Sequence, residues 1–126
     1  MSATILVIDD DENIRELLRL HLSAAGYAVD VAADAIAAGY LVLRSPPDLI
    51  ISDINMPHMD GFEFLAALRA DTTLPRIPVI LLTSNEEGDD RGKELGAVDY
   101  LTKPVRADRL LQLVAKHVPG GALPLG

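Results

Sequence analysis

The sequence predicts an α/β domain built on a five-stranded parallel sheet with helices on both faces. Three observations carry this. Apolar runs of strand length alternate with stretches of helical spacing along the chain. Those runs are continuous rather than every-other-residue, as strands covered on both faces require. Gly and Pro punctuate the junctions between them.

The elements follow in order. Thr4-Ile5-Leu6-Val7-Ile8 is a β-branched and aliphatic run, the first strand. Residues 12–25 carry Ile14, Leu17, Leu18, Leu22 and Ala25 at the spacing of one helix face, and Gly26 ends that helix. Residues 27–32 are the second strand, and residues 34–44 an Ala-rich helix weakened by Gly39 and closed by Pro46 and Pro47. Asp48-Leu49-Ile50-Ile51-Ser52 is the third strand, and residues 61–70 a helix burying Phe64, Leu65 and Leu68. Pro75 and Pro78 bracket a loop before the fourth strand, Val79-Ile80-Leu81-Leu82. A charged helix over 86–95 ends at Gly96, residues 98–101 form the fifth strand, and residues 105–118 the last helix, with Leu110, Leu111 and Val114 inward. Strand–helix alternation implies a parallel sheet. Right-handed crossovers leave few topologies, of which the flavodoxin-like order 2-1-3-4-5 is the common one. The organisation expected is one domain over 1–118 and a breaker-rich tail over 119–126, either a flexible end or the start of a linker.

Composition narrows the function classes. The 126 residues suffice for one core; 49% are hydrophobic and 24% charged, ordinary for a globular protein. With no cysteine, disulfides, thiolate catalysis and cysteine-ligated zinc are excluded. The start, Met1-Ser2-Ala3-Thr4, lacks the basic and apolar regions of a signal peptide, and no apolar run approaches the ~20 residues of a membrane span. A cytoplasmic location is the expectation. The net charge of −8 gains little from nucleic-acid phosphates, so direct nucleic-acid binding is not expected.

In sheets of this kind, ligands bind outside the carboxyl ends of the strands. Asp9, Asp10 and Asp11 stand where the first strand stops, and Asp53 where the third stops. These strands are neighbours in the expected order, so their carboxylates converge and repel unless a cation is present. Mg²⁺ suits such a site, since it takes one or two carboxylates and keeps positions for water and phosphate oxygens. Asp11 reads better as the cap of the first helix; one helix start needs one cap, which leaves Asp9 and Asp10. Thr83 ends the fourth strand and Lys103 follows the fifth. Singly they read as turn chemistry and a surface lysine. Together they set a hydroxyl and a cation beside a carboxylate, the parts that stabilise a transferring phosphoryl group.

These segments resemble a response-regulator receiver domain of two-component signalling. The motifs are Ile5-Leu6-Val7-Ile8-Asp9-Asp10-Asp11, the run from Asp48 through Asp53-Ile54-Asn55-Met56-Pro57 to Asp60-Gly61, Thr83-Ser84, and Tyr100-Leu101-Thr102-Lys103-Pro104. The resemblance implies that Asp53 is the phosphoacceptor. Asp10 and Asp53 would be direct metal ligands, with the Asn55 carbonyl, and Asp9 would act through water. Lys103 would pair with phosphoryl oxygens, Thr83 and Tyr100 would form the switch, and Lys103-Pro104 would be cis. It further implies Mg²⁺ (or Mn²⁺) as cofactor, and a sensor histidine kinase or phosphotransfer protein as donor. The output would be a downstream effector or an output domain beyond this chain. The fourth helix, fifth strand and fifth helix would be the switched surface, and also the surface of a weak homodimer. Such a chain is a phosphoacceptor switch promoting only its own phosphorylation and dephosphorylation, not an enzyme acting on other molecules. Val105 stands where the family often has Phe, and Asn55 and Asn85 stand at positions that tune dephosphorylation there.

Two rivals remain at this stage. Asp9-Asp10-Asp11 also reads as the Asp-x-Asp start of a haloacid dehalogenase-like hydrolase with Asp9 as nucleophile. That motif normally continues into Thr or Val where this chain has Asn13, and those enzymes are longer. The other rival is a receiver-like module that never meets phosphate, against which stands the presence of Asp9, Asp10, Asp53, Thr83 and Lys103 together.

Overall fold

A computed structural model describes residues 3–84 and 90–118, leaving aside the side chain of residue 90. The strands are β1 (Thr4–Ile8), β2 (Ala28–Ala32), β3 (Leu49–Asp53), β4 (Val79–Thr83) and β5 (Asp99–Thr102). The helices are α1 (Glu12–Ala24), α2 (Ala35–Arg44), α3 (Gly61–Ala70), α4 (Asp90–Glu94) and α5 (Ala107–His117). The strands pair in parallel in the order β2-β1-β3-β4-β5, the order expected from the alternation of elements.

The central strands β1, β3 and β4 are almost wholly buried, which is why their sequences are unbroken apolar runs. Successive side chains point to opposite faces and divide the core in two. Ile5, Val7, Ile51 and Leu82 face α1 and α5, meeting Leu18, Leu22, Leu110 and Val114. Leu6, Ile8, Ile50 and Leu81 face α2 and α3, meeting Ala38, Val42, Phe64 and Leu65.

Several expectations shift. Leu17 is 40% exposed, so the buried stripe of α1 is narrower than its apolar residues suggest, with Leu18 and Leu22 at its centre. In α5, Leu113 is fully inward and Leu111 only partly buried, and the helix begins at Ala107 rather than 105. In α3, Phe62 is buried and Leu68 only partly so. Tyr27 precedes β2, Val98 precedes β5, and Asp53 is the last residue of β3 rather than the first beyond it. The helix expected over 86–95 is described only from residue 90, and residues 85–89, Asn85 included, lie outside the described residues, as does the tail 119–126.

Register places the chemistry. Ile8 pairs with Ser52, so the next step sets Asp9 beside Asp53. Thr83 pairs with Thr102, and the Lys103 N–H donates to the Thr83 carbonyl at 2.7 Å, which brings Lys103 to the same edge. No described helix is long and apolar enough to cross a membrane.

A candidate phosphoacceptor site at the carboxyl edge of the sheet

Each side chain at this edge is held by a local device. Asp11 caps α1 through its carboxylate, which accepts from the N–H groups of Asn13 (2.8 Å) and Ile14 (3.4 Å). Capping thus falls to Asp11 and leaves Asp9 and Asp10 available, as the sequence suggests. Asp9 Oδ1 accepts from the Asp11 N–H at 2.9 Å, and the Asp9 carbonyl accepts from Arg15 Nη1 at 2.8 Å. The Asp9 side chain is 0% exposed, whereas Asp10 faces solvent.

On the other side of the site, Gly61 opens α3 directly against the end of β3. A Cβ at Gly61 would stand 2.5 Å from the Asp53 carbonyl oxygen, and the Gly61 N–H donates to the Ile54 carbonyl at 2.7 Å. Only glycine lets the helix start so close to the strand. A capping box fixes that start: the Glu63 N–H donates to Asp60 Oδ1 at 2.8 Å, and the Asp60 N–H to Glu63 Oε1 at 3.1 Å. Between them His58 takes φ 71°, a left-handed turn that lets the loop over Asp53 reverse.

Lys103 joins the two carboxylate strands. Its Nζ lies 3.0 Å from Asp9 Oδ2 and 3.3 Å from Asp53 Oδ2. The first approach is close enough for an ion pair but poorly angled for a hydrogen bond. The cis Lys103-Pro104 peptide turns the chain at this point. Carboxylate oxygens of Asp9, Asp10 and Asp53 all lie within 4.8 Å of one another.

The electrostatics follow from crowding. Burial, then the charge of Asp9, raises the Asp53 carboxyl above its ordinary value, although Lys103 and a hydrogen bond from the Asn55 backbone offset part of this. For Lys103, burial works against the cation, but the adjacent carboxylates of Asp9 and Asp53 outweigh it and raise its pKa. One lysine therefore serves two buried carboxylates with a third beside them. Three oxygen donors this close, one already disfavoured as an anion, suit a hard divalent cation. The donor set fits Mg²⁺.

The structure brings together Asp9, Asp10, Asp53 and Lys103 as expected. It puts Asn55 in the loop just beyond Asp53 and Thr83 at the end of β4, partly buried. Tyr100 is partly buried in the α3–α4 side of the core, its ring lying over Gly92, where a Cβ would stand 2.3 Å from the Tyr100 hydroxyl. Two contributors were not read from the sequence: Arg15, which holds the Asp9 backbone, and Gly92, which makes room for Tyr100; Gly61 stood in the motif, but not its role of admitting α3. Gly61 carried a signal, as a glycine opening a helix after a strand-end aspartate. Arg15 and Gly92 carried none beyond their position.

A family model for the response regulator receiver domain matches residues 5–115. The chain belongs to the response regulator receiver domains of two-component signalling. Among curated relatives, the response regulator MprA of Mycobacterium sp. (strain KMS) and that of Mycobacterium tuberculosis (strain CDC 1551 / Oshkosh) are each 40% identical over 113 residues, 88% of this chain and 48% of theirs. This receiver domain thus spans about half the length of the curated relatives it matches. Among solved structures, it is similar to the chemotaxis response regulator CheY4 of Vibrio cholerae, with TM-score 0.87, 36% identity, and coverage of 92% of this chain and 98% of that one. It is also similar to the receiver domain of sensor histidine kinase PA1611 from Pseudomonas aeruginosa PAO1, whose active-site cleft holds a magnesium ion. There the TM-score is 0.84 at 29% identity, covering 94% of this chain and 98% of that one.

Proposed function

We propose that this receiver domain accepts a phosphoryl group on Asp53 and thereby switches the surface formed by α4, β5 and α5. The observation that carries the reading is the position of Lys103 Nζ, 3.0 Å from Asp9 and 3.3 Å from Asp53, at a strand edge where three carboxylates meet. The donor is a phosphohistidine on a sensor histidine kinase or phosphotransfer protein. An Asp53 oxygen attacks phosphorus in line, forming an O–P bond as the P–N bond breaks, and the bonding pair leaves with the imidazole nitrogen. Lys103, already between Asp9 and Asp53, needs only a small shift to pair with a phosphoryl oxygen while keeping Asp9. Mg²⁺ (or Mn²⁺), held by Asp10, Asp53 and the Asn55 carbonyl with Asp9 through water, would supply charge neutralisation at the phosphoryl oxygens. The magnesium in the related PA1611 receiver supports that assignment.

Asp9 does not suit the nucleophile's role that a hydrolase reading would give it. Its side chain is 0% exposed and committed to the Asp11 N–H and Lys103. The Asp53 side chain keeps 8% exposure, beside exposed Asp10. The chemistry is thereby confined to the chain's own Asp53, and the domain acts as a switch rather than on other molecules. Thr83, at the end of β4, is the hydroxyl that would move toward the new phosphoryl group. Tyr100, over Gly92, is the ring that would change packing with it. Such a population shift needs a differential interaction of only a few kcal/mol. The cytoplasm, where kinases hold their phosphohistidines, is the proposed location, and a downstream effector or an output domain in a longer chain the proposed receiver of the signal.

Incubation with labelled acetyl phosphate and Mg²⁺ tests the reading. Label should enter the wild-type chain, require the metal, and be absent from Asp53→Asn. Label persisting in Asp53→Asn but lost in Asp9→Asn would replace this mechanism with the hydrolase one.

A further inference from the structure

Helix α2 carries an apolar face that nothing among the described residues covers. Tyr40 is 73% exposed, Leu43 64% and Ile36 55%, and their spacing puts all three on one side of the helix. Gly39 lies among them. A Cβ at Gly39 would meet nothing within 4 Å, so no internal packing asks for glycine there. Mid-helix glycine is destabilising relative to alanine, and its effect here is a notch. The notch opens into a recess of about 250 Å³ walled by Ala35, Ile36, Tyr40, Leu43 and Met59. Projecting side chains and a socket thus occupy the same face of the same helix.

We propose that this face binds a second copy of the chain, α2 against α2, antiparallel about a two-fold axis. A two-fold contact requires one patch to be complementary to itself, and this one is. With the axis between residues 39 and 40, antiparallel register sets Tyr40 of each copy opposite Gly39 of the other, and Ile36 opposite Leu43. The same register sets Arg44, at the end of one helix, level with Ala35 of the other and one residue from its N-cap Asp34. The charges are therefore complementary at both ends of the contact. Between Asp34 and Arg44 no residue is charged, so two copies of a chain with net charge −8 meet here without opposing like charges. A ten-residue helix is about 15 Å long, and three large side chains bury well under the ~800 Å² per partner of a standard interface. The dimer is therefore expected to be weak and to form only at high concentration. It uses the opposite face of the sheet from α5 and leaves the α4–β5–α5 surface open.

Sedimentation equilibrium over a concentration series into the millimolar range tests this, with circular dichroism to confirm folding. Wild type should dimerise reversibly, and Tyr40→Glu should weaken association at least about tenfold by setting a carboxylate in the apolar socket. A second measurement reads the register. The chain has no cysteine, so an oxidised mixture of Ile36→Cys and Leu43→Cys chains should yield mainly the mixed 36–43 disulfide. A monomer at every concentration would overturn the proposal, as would a dimer indifferent to Tyr40→Glu, or 36–36 and 43–43 disulfides equalling the mixed one. A face covered by the chain's own tail or reserved for another protein would show as the first of these.

Discussion

The two ends of the sheet use the same residue type to opposite effect. At the amino ends of the strands, Asp48 and Asp99 each have donors of their own. Asp48 Oδ2 accepts the Thr4 N–H at 2.7 Å, and Asp99 accepts the Tyr100 N–H at 2.9 Å while its other oxygen lies 3.1 Å from His117 Nε2. Arg69 donates to the Ile77 carbonyl at 2.8 Å and the Gly96 carbonyl at 3.0 Å, tying α3 to the approaches of β4 and β5. At the carboxyl ends, carboxylates outnumber the lysine that serves them. The pKa shifts register the contrast. Burial would raise the Asp99 carboxyl, but the His117 hydrogen bond, the Tyr100 N–H and the nearby cationic side chains lower it on balance; for Asp53, burial and Asp9 win and raise it. One end holds the fold together, and the other holds charge that a ligand must relieve.

That contrast can be broken from the functional end first. If Mg²⁺ relieves the repulsion among Asp9, Asp10 and Asp53, a concentration near 100 times its Kd should stabilise the native state by about 2.7 kcal/mol. Thermal denaturation should show the rise for wild type and little of it for Asp10→Asn or Asp53→Asn. Next in size, the two aspartates should respond with opposite sign when neutralised. Without metal, Asp53→Asn should gain on the order of 1 kcal/mol by removing a buried like charge, about 4 °C in Tm. Asp99→Asn should lose a similar amount, since it weakens the His117 partnership.

The pH dependence sharpens the same pair. A folded-state pKa below the unfolded value makes the Asp99 contribution complete above the ordinary carboxylate pKa of about 4, and lost as pH falls through the lower folded value. Urea titrations below that pH should therefore show a shallower acid loss in Asp99→Asn than in wild type. The smallest effect lies in the loop over the site. His58 at φ 71° sits where glycine is unstrained. His58→Gly should change stability by less than about 1 kcal/mol, because relief of left-handed strain is offset by the entropy of glycine in the unfolded chain.

The strand–helix alternation and strand order were legible because the central strands are apolar on both sides, which leaves unbroken runs such as Leu49-Ile50-Ile51. Edges were less legible. β2 is half exposed, and its limits move by a residue. The inward faces of α1 and α5 were read one residue too wide or rotated, since Leu17 and Leu111 are apolar without being central to the core. The convergence of Asp9, Asp53 and Lys103 was legible because register carries strand-end residues to one edge whatever the loops do. The close approaches were not. Gly61 against the Asp53 carbonyl and Gly92 under Tyr100 depend on tertiary distances that no spacing encodes.

The most direct test of the account is an amide spectrum of the chain titrated with beryllofluoride and Mg²⁺, a stable stand-in for the phosphoryl group. Shifts are expected at Asp10, Asp53 and Lys103 together with Thr83 and Tyr100, and no comparable change at Thr4 or Asp48 across the sheet. A spectrum left unmoved at Asp53, or one that moves Asp53 while Thr83 and Tyr100 stay still, would contradict the account.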